Sequence, residues 1–263
     1  YSRTVRPVVN LQDAKGNGSG LVCHPRGDGG RARRVKSGFL CGIAFVNILA
    51  LESSTELCSV ALWRDGSIAA REAGDGQRNS EALLPLVDAL LAAEGIARGD
   101  LNGIAFGSGP GAFTGLRVAC GVAQGIAFGG GLPVTGVVTL LALAEAAQAP
   151  RAVCCLDARM GEIYYAAYER AGEDWREVCA PSLCKPEAVP ALPGAGWCGC
   201  GSGFDVFGDK LAQGYGAQLE RVIAGVVPHA RAVAALAARA FARGEAVAAE
   251  LAAPLYVRNK VAL

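Results

Sequence analysis

Four short segments hold residue types that could do chemistry. The first is Ser108-Gly109-Pro110-Gly111-Ala112-Phe113-Thr114-Gly115-Leu116-Arg117, which follows a short apolar run and opens a helix. Glycines ahead of a helix N-terminus expose backbone N–H groups, and the helix dipole favours an anion there. Gly109, Gly111, Thr114, Gly115 and Arg117 therefore form a candidate anion or nucleotide loop, with Thr114 as the helix cap. A tight strand-to-helix crossover, whose glycines only permit close packing, accounts for the same letters equally well. The second segment is the turn Glu52-Ser53-Ser54-Thr55. A carboxylate and hydroxyls between two strands can hold a phosphate-bound metal ion, which makes Glu52, Ser53 and Thr55 a candidate phosphate turn; an ordinary polar hairpin turn is the plainer reading. The third is Asp157-Ala158-Arg159-Met160-Gly161-Glu162, where Asp157 and Glu162 form either an acid/base pair or two members of a hairpin turn with a local ion pair. The fourth, Gly199-Cys200-Gly201-Ser202-Gly203, would let a backbone approach a nucleotide, but a lone glycine run is weak evidence.

These segments need elements to position them. Val46–Leu51, Leu57–Trp63 and Ser67–Glu72 read as strands, the last two joined by the Arg64-Asp65-Gly66 turn. Asn79 or Ser80 can cap a helix running to about Glu94, with Leu83, Leu84, Val87, Leu90 and Leu91 as its apolar stripe. Gly103–Gly107 is a strand, and the helix after the glycine loop runs to about Phe128. That helix carries Gly121 and Gly125 beside Val118 and Val122. An interior helix glycine costs about 1 kcal/mol against alanine, so another backbone packing very close is expected, from this chain or from a second one. Leu132–Thr135 and Val138–Ala147 follow as strand and helix. After Pro150 the order repeats, with strands over Ala152–Asp157 and Glu162–Glu169 and a last helix near Arg231–Arg243. Two hairpin-led α/β units predict a duplicated, two-lobed α/β fold, with lobes over residues 47–149 and 150–263.

Composition narrows the function classes. Of 263 residues, 52% are hydrophobic and 19% charged, too apolar for a disordered chain. The net charge of +1 is an average over unlike parts. Residues 1–46 hold eight Lys/Arg and two Asp/Glu, whereas residues 47–263 hold 17 and 22, a net of −5. The arm, rich in Gly, Arg and Ser, is expected to be a flexible basic extension. The chain opens on Tyr1 rather than Met, and a misassigned upstream start or a non-native remnant accounts for the arm better than an organelle transit peptide does. The acidic body is a poor primary surface for nucleic acid. Only His24 and His229 are present, far apart, so no HExxH metal pair exists. The ten cysteines lack regular spacing and several sit in apolar runs, as buried thiols of a reducing cytosol do. No apolar run reaches the ~18–20 residues of a membrane helix.

Read together, four motifs resemble one family. The segment ILALESSTELCSVALWRDG is similar to the opening of the TsaB (YeaZ) family, with its ILAIDTST-type strand and CSVAL strand. GSGPGAFTGLR resembles that family's GPGSFTGLR, LDARMGEIYYAAY its DARMGEVY hairpin, and APLYVRN its C-terminal signature. The resemblance spans residues 47–263, and the arm has no counterpart.

The resemblance implies a two-lobed fold of the actin-like ATPase, Hsp70 and sugar-kinase superfamily. It also implies a cytoplasmic role in making threonylcarbamoyladenosine beside the tRNA anticodon. In that machinery TsaC makes threonylcarbamoyl-AMP, and TsaD transfers the threonylcarbamoyl group to adenosine. TsaB is the non-catalytic partner TsaD needs, and TsaE completes the assembly. The metal of TsaD is held by an HxxxH pair that this chain lacks, so no catalytic residue and no metal are expected here. No cofactor is required, and ATP or ADP enters only through the assembled complex. Two helices of the first lobe pair with TsaD in the family, or with a second copy in a homodimer. Here they are Ser80–Glu94, with Leu83, Val87, Leu90 and Leu91, and Thr114–Phe128, with Val118, Gly121, Val122 and Gly125. Contact with tRNA would be indirect. Three departures weaken a catalytic reading: Glu52 where Asp is usual, Ala112 where Ser is usual, and Asn79 where relatives often carry His. A small-molecule kinase or ATPase of the same superfamily, using Glu52, the Gly107–Arg117 loop and Gly199–Gly203, is the alternative.

Overall fold

A computed structural model describes residues 46–73 and 78–258. The basic arm, with Cys23, His24 and Cys41, lies outside the described residues. The chain forms β1 (Asn47–Glu52), β2 (Ser59–Arg64), β3 (Ser67–Glu72), α1 (Asn79–Ala93), β4 (Gly103–Gly109), α2 (Phe113–Gly130), β5 (Val134–Val138) and α3 (Thr139–Ala147). It continues as β6 (Arg151–Asp157), β7 (Ile163–Ala171), β8 (Asp174–Cys184), β9 (Trp197–Cys200), α4 (Ser202–Tyr215), β10 (Leu219–Ile223) and α5 (Ala230–Ala242).

Duplication is explicit in the sheets. The first has strand order β3-β2-β1-β4-β5, and the second, read from its other edge, has β8-β7-β6-β9-β10. In both, the leading hairpin strands pair antiparallel and the remaining strands parallel. This is a duplicated, two-lobed α/β architecture.

Strand periodicity sorts the cores. All six residues of β1 are buried, because helices cover both sheet faces. Leu49 and Leu51 point with Val60, Leu62, Ile104 and Phe106 to the α1 and α2 side. Ile48 and Ala50 point the other way, onto Val233, Ala237 and Phe241 of α5. In the second lobe Val153 and Cys155 meet Phe204, Leu211 and Tyr215 of α4, while Ala152, Cys154 and Leu156 meet Leu140 and Leu143 of α3.

The expected boundary at residue 150 separates the sheets but not the helices. α5 comes from the second half of the sequence, yet its apolar stripe lies on the first sheet. Residues 47–149 alone would leave Ile48, Ala50 and Ala105 uncovered. Helix termini differ from expectation as well. α2 starts after Ala112, not at a Thr114 cap, and α1 follows Arg78 with no side-chain cap. Among the described residues no helix is long and apolar enough to cross a membrane.

Candidate functional site

The two lobes face each other across a cleft of about 590 Å³. Its first-lobe wall is the β1–β2 turn with the start of α2. Its second-lobe wall is the β6–β7 turn, Ser202 and Val206, and the C-terminal segment Leu255–Arg258 closes one side. Three of the four candidate segments thus converge on one cleft, and the glycine run reaches it through Ser202.

Glu52 is fully buried and does not line the cleft. Its Oε1 accepts the Ser54 backbone N–H at 2.6 Å, and its Oε2 has no hydrogen-bond partner. A Cβ on Gly107 would lie 2.0 Å from Oε2, so Gly107 is the socket that admits the carboxyl. Burial pushes the Glu52 acid above its ordinary value of 4.5, against the opposing effect of hydrogen bonds from Ser54 and Ser53. Ser53 is equally sealed, its Oγ donating to the Gly115 carbonyl at 2.9 Å. Thr55 Oγ1 is buried without a partner. Glu52, the carboxylate that a metal–phosphate reading of this turn would use, therefore does not face the cleft.

The glycine loop serves close packing. Cβ atoms on Gly111 and Gly115 would lie 2.4 and 1.8 Å from the carbonyl oxygens of Ser54 and Ser53, and one on Gly109 would lie 2.7 Å from Leu255 O. Ala112 N–H donates to Ser54 O at 2.7 Å and Gly109 N–H to Thr139 Oγ1 at 3.1 Å. Thr114 is exposed on the first turn of α2. Arg117 does not itself line the cleft but contacts two residues that do, with its guanidinium 3.8 Å from the Phe113 ring centroid and its Nε donating to Tyr256 Oη at 3.2 Å. Of the two readings, the tight crossover is the one this geometry fits.

Asp157 and Glu162 are likewise engaged. Asp157 accepts from Arg159 N–H at 2.8 Å and pairs with its guanidinium at 3.0 Å, while Glu162 pairs with Arg258 at 2.7 Å. Arg159 also reaches Glu56 of the other lobe at 3.0 Å, across the cleft mouth. In the run Gly199–Gly203, Cβ atoms on Gly201 and Gly203 would lie 2.4 and 2.8 Å from Cys155 atoms, so these glycines let α4 sit on β6.

The helix pair needs correction. Leu83, Val87, Leu90 and Leu91 are at most 3% exposed and belong to the core beneath α1. The i, i+3/i+4 stripe that predicts the helix also predicts this burial, and the outward residues are the ones between. Val118 and Val122 are half-buried against the same core. Gly121 and Gly125 face outward, and a Cβ on either meets nothing within 4 Å. Leu84, expected in the apolar stripe of α1, is instead exposed, as are Phe128 near the end of α2 and Phe113 at its start, where Phe113 also lines the cleft. Asn79, expected as a possible helix cap, lies inside α1 and has a different structural role. Its Nδ2 donates to Ser53 O at 3.1 Å and Thr55 O at 2.9 Å, pinning the β1–β2 turn to α1.

A protein-family model described as TsaD, tRNA N6-adenosine threonylcarbamoyltransferase, matches residues 75–260. The tRNA threonylcarbamoyladenosine biosynthesis protein TsaB of Escherichia coli is 38% identical over 227 residues, covering 82% of this chain and 96% of that one. This chain belongs to the TsaB (YeaZ) family. The Haemophilus influenzae TsaB is 34% identical over 236 residues, covering 82% and 95%. The solved structure of YeaZ from Pseudomonas aeruginosa superposes with a TM-score of 0.73 at 38% identity, covering 80% of this chain and 99% of that one. In this TsaB-family chain, the four motifs that carry the family resemblance either surround the cleft or support α2.

Proposed function

We propose that this chain is the non-catalytic partner subunit of the tRNA threonylcarbamoyladenosine machinery. It docks on a TsaD-type transferase through the outward face of α1 and α2, and TsaE completes the assembly. Family membership supports the pathway. The observation that supports a docking role is the outward ridge of α2. Gly121 and Gly125 weaken a helix whose own fold makes no use of their missing side chains. Leu84 of α1 and Phe128 of α2 are exposed large apolar side chains on the same two helices, as a protein contact would use. Alone, the chain would use the same face for a homodimer.

The sealed Glu52 and the self-paired Asp157 and Glu162 favour a partner over a kinase or ATPase. The chain itself requires no cofactor, and any ATP or ADP is used by the assembled complex. Contact with tRNA is indirect, since residues 47–263 carry 22 acidic against 17 basic residues. The eight described cysteines are all free, which suits a reducing cytoplasm. The test is reconstitution of tRNA modification from TsaC, TsaD and TsaE with and without this chain. Modification that depends on the chain is expected, and equal modification without it refutes the reading.

A further inference from the structure

After α5 the chain crosses back over the first lobe. Val247 pairs with Val134, Ala249–Leu251 packs on α2, and Ala252–Arg258 runs along α2 toward the second lobe. Gln124 Nε2 donates to Ala252 O at 2.9 Å, and Leu255 N–H donates to Ser108 O at 2.7 Å. Arg117 Nε donates to Tyr256 Oη at 3.2 Å, and the Tyr256 ring lies against Phe113, centroids 5.5 Å apart. Two residues later the strap changes lobe. The Arg258 guanidinium donates to Glu162 at 2.7 Å and to the Ala158 carbonyl at 3.0 Å, both in the β6–β7 hairpin.

Tyr256 and Arg258 can be at most about 7 Å apart along the chain. Their two anchors, one on α2 and one on the hairpin, therefore cannot separate unless one lets go. The opposite rim of the lobes is held differently. There the half-buried Glu145 of α3 accepts from Trp175 Nε1 at 2.6 Å and pairs with Arg170 at 3.0 Å and Arg239 at 2.9 Å. At the cleft mouth the Arg159–Glu56 pair is 73% and 93% exposed, which makes it weak. An opening of the lobes that keeps the Glu145 contacts intact would therefore pull at the strap.

We infer that Tyr256–Arg258 couples the outward face of α2 to the opening of the lobes, so that the Arg117–Tyr256 and Arg258–Glu162 contacts hold or release together. This rests on the docking reading only for its biological use: a partner seated against Phe113 and Arg117 would hold the lobes closed, and closed lobes would favour the partner by the same factor.

The test is native-state hydrogen exchange on the full chain alone, read at the Ala158, Arg159 and Glu162 amides. Each of these donates a hydrogen bond within the β6–β7 turn. Arg117→Ala should speed their exchange roughly two- to twelve-fold, the equivalent of one lost hydrogen bond. Tyr256→Phe, which keeps the ring and drops the hydroxyl, should act in the same direction. Arg258→Ala should also speed exchange, and adding Arg117→Ala to it should have no further effect. Unchanged exchange in both Arg117→Ala and Tyr256→Phe overturns the inference, as does full additivity with Arg258→Ala. With TsaD added, these amides should slow in the natural chain and not in Arg258→Ala. Absence of TsaD binding refutes the docking reading, while the exchange cycle on the chain alone still decides the coupling.

Discussion

Replacing Gly121 and Gly125 by alanine should stabilise the isolated chain and weaken its docking at once. Each Gly→Ala change within a helix gains about 0.5–1 kcal/mol when the new methyl meets nothing. Here a Cβ at either position has open space for 4 Å, so the pair should gain about 1–2 kcal/mol. For a body of this size that is a rise in Tm of roughly 2–8 °C. If a helix of TsaD seats on this ridge, each methyl overpacks the contact by about 1–3 kcal/mol, or roughly 5- to 150-fold in Kd. Thermal or urea unfolding gives the first quantity and titration calorimetry the second. Loss of stability in the isolated chain would mean the ridge is covered within the fold. A stability gain with unchanged affinity would mean the partner docks elsewhere. Bulkier residues at the two positions should deepen the affinity loss.

Gly115→Ala is the natural contrast. The same helix gain is outweighed because the methyl would lie 1.8 Å from Ser53 O, a backbone atom that cannot swing aside. A net destabilisation of about 1–3 kcal/mol is expected in the same unfolding assay, and a stabilised variant would contradict the packing described for the loop. Glu52→Gln should remove a pH dependence. Because burial raises the Glu52 acid, the folded chain holds a proton that the unfolded chain releases above 4.5. Its contribution is fully present below that pH and is lost as pH rises through the folded value, so the Gln variant should gain relative to the natural chain from about pH 4.5 upward. A stability difference that does not change with pH refutes this. Burial also pushes the Cys154 and Cys155 thiols well above 9.0, so both should resist a thiol reagent until the chain is denatured, while the partly exposed Cys179 and Cys184 react before either of them. Prompt native labelling of Cys154 would contradict its burial.

Much of the fold was legible because local signals agree with it. The Asp65-Gly66 turn, the runs around β1 and β6, and the stripe of α1 are set by chain periodicity and turn chemistry, which operate within a few residues. Both hairpin-led units could be recognised in this way. β8 and α4 were less legible. β8 is an edge strand of mixed exposure with little alternation, and α4 opens on a Ser-Gly pair that reads as loop. The motif letters located the cleft, since the segments they mark do converge on it.

Which way each residue acts was decided only by tertiary packing. A run such as Gly109-Pro110-Gly111 is written alike for holding a phosphate and for admitting a neighbouring backbone. Only the 2.4 Å approach of Ser54 O to a Cβ on Gly111 distinguishes the two. Glu52 looks like a ligand carboxylate until Gly107, 55 residues away, closes over it. Leu83 and Gly121 both suit a helix surface by residue type, yet one faces the sheet and the other faces solvent. Sequence alone determined the two leading hairpins, the helices α1, α2 and α5, the duplication and the family, because these depend on local pattern and motif order. The three-dimensional fold decided which side chains are sealed, paired or open, because burial depends on contacts between residues far apart in the chain.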